Sequence, residues 1–438
     1  MRASCLIFAA VAAAGCNAFS DAPSGASGGS GGAGGGAASG LPCDVDRVLA
    51  QSCRSCHADP PRYGAPMPLV TYADTQAPAP TNTAEKVVDV MHQRIHDPTS
   101  PMPPTGPLDA AALDVLDRWY QEGAPPGDGA ACDEGAGGTG PAIGPDALSC
   151  TPTQKLVAHG TSGGAFHVPS DAANLYECFT FKSPWNGATE GTAWAPIIGD
   201  ARVLHQWILY RSATPQPDGG VGPCNMPADA TFVAGWAPGG TNFVLPKDVG
   251  LELAGPNDSL ILQVHYHNIA GYTDADDASG VALCTTNTPR EHLAGVFTLG
   301  TVDISIPPHA NGYTTSGMCP SWATSFLPQP LTIIATFPHM HGLGRSIKTE
   351  VLRGGDTGPA ETLVDVQHFS FDSQTFYRKD PPMTFNPGDA ARTTCVYDNP
   401  GNDTVSFGER TEDEMCFDFV MLYPINLLTG NNRSCGLF

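Results

Sequence analysis

Three runs of residues in this chain have types and spacing that could do chemistry. The first is Cys53-Arg54-Ser55-Cys56-His57, a Cys-x-x-Cys-His sequence. Two thiols at this spacing can add to haem vinyl groups, and the adjacent histidine then stands where it can ligate the iron. Taken alone, the same residues would also serve as a disulfide pair followed by an unrelated histidine. The other two are His265-Tyr266-His267 and His339-Met340-His341. On an extended strand, residues i and i+2 share a face, so each pair could present two imidazoles to one metal ion. Imidazole suits copper, zinc, iron and nickel, so the pairs by themselves leave the metal open. A single His-x-His is more often ordinary polar patterning on a half-exposed strand.

Elements of two kinds must position these groups. From Cys150 onward the chain is rich in Val, Ile, Thr and aromatic residues, in short runs such as 260–266, 331–337 and 417–423, broken by Gly, Pro, Asn and Asp. No long stretch shows helical periodicity, which points to antiparallel sandwiches. Around the Cys-x-x-Cys-His run the pattern is different, with a helix-like stretch from Leu108 to Tyr120. A Gly/Pro-rich linker at 127–149 separates residues 43–126 from 150–438, and the latter suffice for two ordinary domains.

Composition and targeting set the compartment. One positive charge, Arg2, precedes an apolar run from Ala3 to Ala14 that is too short to span a bilayer and reads as a signal-peptide core. It ends in Ala13-Ala14-Gly15-Cys16, which resembles the bacterial lipobox, so residues 1–16 are expected to direct export and acylation at Cys16. Residues 17–42, mostly Gly, Ser and Ala, would form a flexible tether. Lipid at Cys16 would be the only membrane anchor, at the periplasmic or outer surface of a bacterial envelope. A net charge of −23 would repel a phosphate backbone and argues against a nucleic-acid partner. Of fourteen cysteines, ten remain after Cys5, Cys16, Cys53 and Cys56 are set aside, an even number that favours five disulfides in an oxidising compartment.

Residues 43–126 resemble small c-type cytochromes. Leu49-Ala50-Gln51-Ser52 precedes the haem motif, and Pro101-Met102-Pro103-Pro104 follows it, ahead of Trp119-Tyr120 and Gly123-Ala124-Pro125. The resemblance implies haem c on Cys53 and Cys56, with His57 and Met102 as axial ligands and the aromatic-ended helix packed on the haem. Met67, in Ala65-Pro66-Met67-Pro68, is the rival sixth ligand, and His92 or His96 are weaker ones. Thioether ligation opposite histidine leaves no open position and suits electron transfer. Cys43 and Cys132 would bracket the domain as a disulfide.

Residues 150–438 resemble the copper type II, ascorbate-dependent monooxygenases, the group of peptidylglycine-hydroxylating enzymes and dopamine β-monooxygenase. The motifs occur in order: Pro223-Cys224-Asn225-Met226-Pro227, Gly235-Trp236-Ala237-Pro238-Gly239, Leu262-Gln263-Val264-His265-Tyr266 with Asp277-Ala278-Ser279-Gly280-Val281, then His339-Met340-His341-Gly342-Leu343-Gly344, then Val405-Ser406-Phe407-Gly408 through Thr411-Glu412-Asp413-Glu414-Met415-Cys416. The implied fold is mainly β, two antiparallel, jelly-roll-like sandwich domains at 150–300 and 301–438 preceded by a small all-α cytochrome c domain. The implied catalytic copper is held by His339, His341 and Met415, two imidazoles and a weak thioether that leave a position for dioxygen. The resemblance also pairs Cys178 with Cys224, Cys395 with Cys416 and Cys319 with Cys435, which leaves Cys150 for Cys284.

Two departures from that family bear on function. Where it has adjacent histidines, this chain reads His205-Gln206, so His205 and His265 would hold Cu(I) alone as a two-coordinate ion, or Gln206 or His267 would complete the electron-transfer copper site, or the site would be empty. An amide oxygen binds copper less tightly than imidazole does. Phe337 stands where peptidylglycine hydroxylases place a carboxylate-binding arginine, and Phe417-Asp418-Phe419 replaces their polar groups. A small apolar or aromatic substrate therefore fits better than a free peptide C-terminus. The expected activity is hydroxylation of a C–H bond with dioxygen, using one or two coppers and electrons from the fused haem, with ascorbate or a periplasmic electron carrier as reductant. The rival is a copper/haem electron-transfer lipoprotein that no longer hydroxylates. A third alternative is a disulfide-rich adhesion or scaffold protein, which the retention of His339, His341 and Met415 opposes.

Overall fold

The computed structural model describes residues 39–97, 101–104, 106–127, 143–371, 373–408, 410–428 and 433–437. The signal sequence, Cys16, most of the tether, Cys132 and the middle of the linker lie outside these residues. Residues 43–126 carry four helices, Cys43–Ser52, Tyr72–Gln76, Val87–Ile95 and Ala110–Gln121. Two of them start from a side-chain cap. Asp109 caps the last helix by accepting the Ala112 N–H, and Thr71 with Asp74 forms a reciprocal capping box. Their apolar faces meet in a core of Val45, Leu49, Val88, Met91, Leu116 and Trp119. The expectation of an all-α domain needs one correction. Strands Pro78–Ala79 and Asn82–Lys86 form a short hairpin, where Pro78 and Pro80 lack the N–H a helix requires.

Among the described residues after 150 the regular structure is β, apart from a one-turn helix Ser321–Thr324 and a 3-10 turn Ile425–Leu427. The first sandwich places a five-stranded sheet (Gly220–Pro223, Leu175–Lys182, Ser259–Tyr266, Leu204–Ser212, Thr231–Trp236, in that order) over strands Val249–Glu252, Glu190–Ile197, Gly280–Thr286 and Gln154–Val157. The second places Ala310–Cys319, Ala390–Asn399, Gly344–Leu352 and Ala360–Val366 over Tyr377–Phe385, Leu331–His339, Cys416–Tyr423 and His292–Thr301. Burial alternates along Ala390–Asn399, the period-two signature of a strand with one face in a core.

The antiparallel expectation fails where the two sandwiches meet. Strand Val249–Glu252 of the first runs parallel to His292–Thr301, which pairs on its other side with Cys416–Tyr423 of the second. One ten-stranded sheet therefore runs through both sandwiches. The apolar core is equally continuous, because Trp207, Leu251 and Leu283 share one cluster with Ile334, Phe337 and Met421.

The structure forms disulfides Cys150–Cys284, Cys178–Cys224, Cys319–Cys435 and Cys395–Cys416. Cys43 is also disulfide-bonded, and its expected partner Cys132 lies outside the described residues. Such usage belongs to an oxidising, extracytoplasmic compartment. Among the described residues no helix is long and apolar enough to cross a membrane.

A carboxyl group is buried within the second sandwich. Asp418 on Cys416–Tyr423 is fully buried, with Oδ1 accepting from the Thr336 hydroxyl. Burial, opposed by hydrogen bonds from Thr336, Thr349 and the Phe337 N–H, pushes its pKa up to about 6. The folded value lies above the unfolded one, so this group's stabilising contribution is full below about pH 4 and is lost as pH rises through about 6. The shift corresponds to about 3 kcal/mol. Asp418→Asn should flatten the pH dependence of stability in that window, measured by urea unfolding. Identical profiles for the two proteins would contradict burial as the cause.

Candidate functional site

The five-stranded sheet turns one face inward and the other toward the second sandwich. On strand Ser259–Tyr266, Leu260, Leu262, Val264 and Tyr266 enter the core. Alternation therefore sends His265 to the opposite face. The neighbouring strand would ordinarily aim His205 and Gln206 to opposite sides. Its pairing instead skips a residue: His265 opposes Gln206 while Tyr266 opposes Leu204. His205 is the extra residue of a β-bulge, which lets both His205 and Gln206 stand opposite His265.

Three histidines converge as a result. The His205 and His265 Nδ1 atoms face each other at 3.0 Å, and the His267 ring lies 5.8 Å from His205 and 6.4 Å from His265, centre to centre. The His265 Nε2–H donates to Asn174 Oδ1, so in the neutral ring Nδ1 is a lone pair aimed at His205. Tyr176 stacks flat on the same ring at 4.2 Å. Burial, with the neighbouring His205, His267 and His341, holds His265 well below the usual histidine pKa. A pair of facing nitrogens with one tautomer fixed from behind is a donor set that fits copper.

The second cluster lies at the end of strand Leu331–His339. His339 opposes Phe417, and its Nδ1–H donates to Gln374 Oε1 at 2.7 Å. His341 Nδ1–H donates to the Asp413 carbonyl at 3.0 Å. Both rings therefore keep Nε2 as the available lone pair. Burial and the adjacent His341 lower His339 to about 3, and burial lowers His341 against the pull of nearby acceptors. Both rings are neutral at physiological pH, the form a metal requires. Met415 is carried on the segment between Asp413, which touches His341, and Phe417, which pairs with His339. Cys416 is tied to Cys395, and the Tyr397 hydroxyl donates to the Met415 carbonyl.

Several residues that hold these groups are absent from any short motif. Gln374 accepts from His339 and donates through Nε2 to Gln206 Oε1 at 3.2 Å, so one amide joins the two clusters. The Gln206 carbonyl oxygen thus uses one of its two lone pairs on Gln374. Phe371 stacks on His205 at 5.1 Å and meets His341 edge-on at 5.7 Å. Asn174 also accepts from Thr411, on the segment leading to Met415. Glu414, though charged in type, is buried and accepts the N–H groups of His341, Leu343 and Met415. Only its place beside Met415 in the motif hinted at this.

A cavity of about 330 Å³ adjoins the clusters, walled by Trp236, Phe243, Phe337, Gln374, Phe376 and Arg378. Phe337, read from sequence as replacing an arginine, is in this wall. Phe419 stacks on Phe232 nearby and lies 6.0 Å from His339.

In the helical domain Cys53 and Cys56 are not in disulfides. His57 Nδ1–H donates to the Met67 carbonyl at 2.8 Å, leaving Nε2 outward, the arrangement a haem ligand needs. Met67 is thus behind His57. Met102 arrives from another segment and donates its N–H to the Arg94 carbonyl at 2.9 Å. His92 and His96 turn to Asp117, at 3.2 and 2.6 Å. Trp119 is in the domain core and Tyr120 stacks on His92.

Paired histidine clusters on two joined β-sandwiches are donor sets of a kind that fits copper. Residues 162–273 match the N-terminal domain, and 292–435 the C-terminal domain, of the copper type II ascorbate-dependent monooxygenases. The chain belongs to this family. Tyramine beta-hydroxylase of Caenorhabditis briggsae is 28% identical over 271 residues, covering 57% of this chain and 45% of that protein. Dopamine beta-hydroxylase of Homo sapiens is 30% identical over 249 residues, covering 52% and 40%. Peptidylglycine alpha-amidating monooxygenase of Rattus norvegicus is 28% identical over 230 residues, covering 50% and 22%. The chain spans less than half the length of each of these relatives.

His267 and Gln206 are the two candidates for the third group of the first cluster, and substitutions tell them apart if His267 takes that role. His267→Ala should lower copper affinity there by about tenfold or more, whereas Gln206→Leu should leave it nearly unchanged. Gln374→Leu should weaken binding at His339 by about tenfold, as loss of a partner behind a ligand does. Copper titration of each variant checks this; emptying of the first site by Gln206→Leu would restore Gln206 as a ligand.

Proposed function

We propose that the protein is a copper-dependent monooxygenase that hydroxylates a C–H bond of a small apolar or aromatic molecule with dioxygen. The observation that carries this is the pair of neutral imidazoles at His339 and His341, each held at Nδ1 so that Nε2 is left for a metal, with Met415 on the segment between their supports. Copper bound there supplies the oxygen-activating chemistry. A soft thioether favours the cuprous state. His205, His265 and His267 would hold the second copper, the electron store.

The remaining assignments follow the residues. Aromatic rings in the cavity wall favour an aromatic substrate, in line with relatives named for tyramine and dopamine. The charged residue of that wall is Arg378, with no carboxylate among its lining residues, so a neutral or anionic ring compound fits it better than an ammonium. Haem c on Cys53 and Cys56, with His57 and Met102 axial, would deliver electrons from ascorbate or a periplasmic carrier. Met102 is preferred to Met67 because the Met67 carbonyl already occupies the rear of His57. Export with a lipid on Cys16 completes the proposal.

Ligand strength makes the test asymmetric. Met415→Ala should retain copper at high metal concentration yet lose reductant-dependent oxygen consumption coupled to product, and His339→Ala should lose the metal from that site. The substrate panel should include tyramine, phenylacetate, a neutral phenylalkane and free and amidated peptides. If copper-loaded, reduced wild-type protein consumes no oxygen with any of them, an electron-transfer protein becomes the better account of the same ligands.

A further inference from the structure

We infer that the turn Tyr63-Gly64 is the contact through which the helical domain passes electrons to the His205/His265/His267 cluster. The inference rests on the haem and copper assignments proposed above. It starts at the haem-attachment loop itself, where the Arg62 N–H donates to the Cys56 carbonyl at 2.8 Å and the Ala65 N–H closes back on Arg62. The next two residues both take left-handed conformations, Tyr63 at φ 54° and Gly64 at φ 76°. For a tyrosine that conformation costs about 1–2 kcal/mol, and it persists where surrounding contacts impose it.

Those contacts are with the first sandwich. The Tyr63 N–H donates to the Ala201 carbonyl at 2.7 Å. Its ring meets Trp236 edge-on at 5.8 Å and packs against the sandwich core. Gly64 lies so close to the metal cluster that a Cβ there would stand 2.6 Å from His267 Nδ1. Glycine is required twice, by the backbone conformation and by the approach. The His267 N–H is bonded in turn to the Val203 carbonyl, two residues from His205.

From Cys56 the connection is therefore one hydrogen bond and three residues of backbone, Arg62 to Gly64, ending against the His267 ring. Such a path suits one-electron transfer, which falls steeply with each open gap. One electron passes per event: ferrous haem iron becomes ferric, cupric copper becomes cuprous, and no bond or proton moves. The helical domain, separated in sequence by a Gly/Pro-rich linker, is thus seated on the first sandwich.

The test uses the full chain carrying haem and Cu(II). The haem is reduced by a light flash under anaerobic conditions, and decay of the ferrous c-type bands is followed. The expected decay is first-order with a rate independent of protein concentration, slowed severalfold in Gly64→Val and in Tyr63→Ala. Unchanged visible spectra and copper content in the variants show that both centres are intact. Should Gly64→Val displace His267 and lose copper, Tyr63→Ala, which leaves that ring untouched, decides the matter. A rate that rises with protein concentration, or wild-type decay in Tyr63→Ala, overturns the inference. Absence of any c-type bands in the wild type would instead defeat the haem assignment itself.

Discussion

Everything at the site depends on the parallel pairing of Val249–Glu252 with His292–Thr301, which fuses the two sandwiches into one sheet. Around this seam Trp207, Leu251, Phe337 and Met421 share a single apolar cluster. Burial of such large side chains contributes about 1.5–3 kcal/mol each, so the seam resists opening in a way a polar interdomain contact would not. The histidine clusters face each other because the sheets that carry them are held in register by this core. Without the seam, Phe371 could not touch both His205 and His341, nor Gln374 both His339 and Gln206.

Within that frame, neutrality is the electrostatic requirement. Five histidines lie close together, and each added positive charge would oppose the next. Burial settles the matter, holding His265, His339 and His341 below the ordinary histidine pKa. Asn174, Gln374 and the Asp413 carbonyl then choose which nitrogen carries the proton. The ligands are thus deprotonated and oriented by the fold, which lowers the cost of binding copper. Chemistry at the second cluster is further braced by Glu414, whose carboxyl gathers three backbone N–H groups from the turns bearing His341 and Met415.

The sequence made legible what is local. Cys53-Arg54-Ser55-Cys56-His57 and the two His-x-His pairs could be read directly, because consecutive residues on one strand or loop carry the information. The mainly-β character of residues after 150 was equally plain from short β-branched runs. Through family resemblance, the cysteine pairs could be read too. What depends on tertiary register was hidden. No propensity marks His205 as the extra residue of a bulge. Gln374 is 35 residues from His339 in sequence and announces itself by no motif. Parallel pairing across the seam and the seating of Gly64 against His267 are long-range contacts of the same kind.

The central claim is that two copper sites lie side by side across the seam, with Phe371 and the Gln206–Gln374 amides between them. Electron paramagnetic resonance of the fully oxidised protein loaded with Cu(II), in which the copper signals are separate from those of low-spin ferric haem, tests it most directly. The account predicts two Cu(II) ions per chain whose spectra are broadened by mutual dipolar coupling. His339→Ala should leave one sharp, uncoupled signal from the His205/His265/His267 site. A single Cu(II) in the wild type, or two signals that superimpose as the sum of isolated centres, would contradict the account.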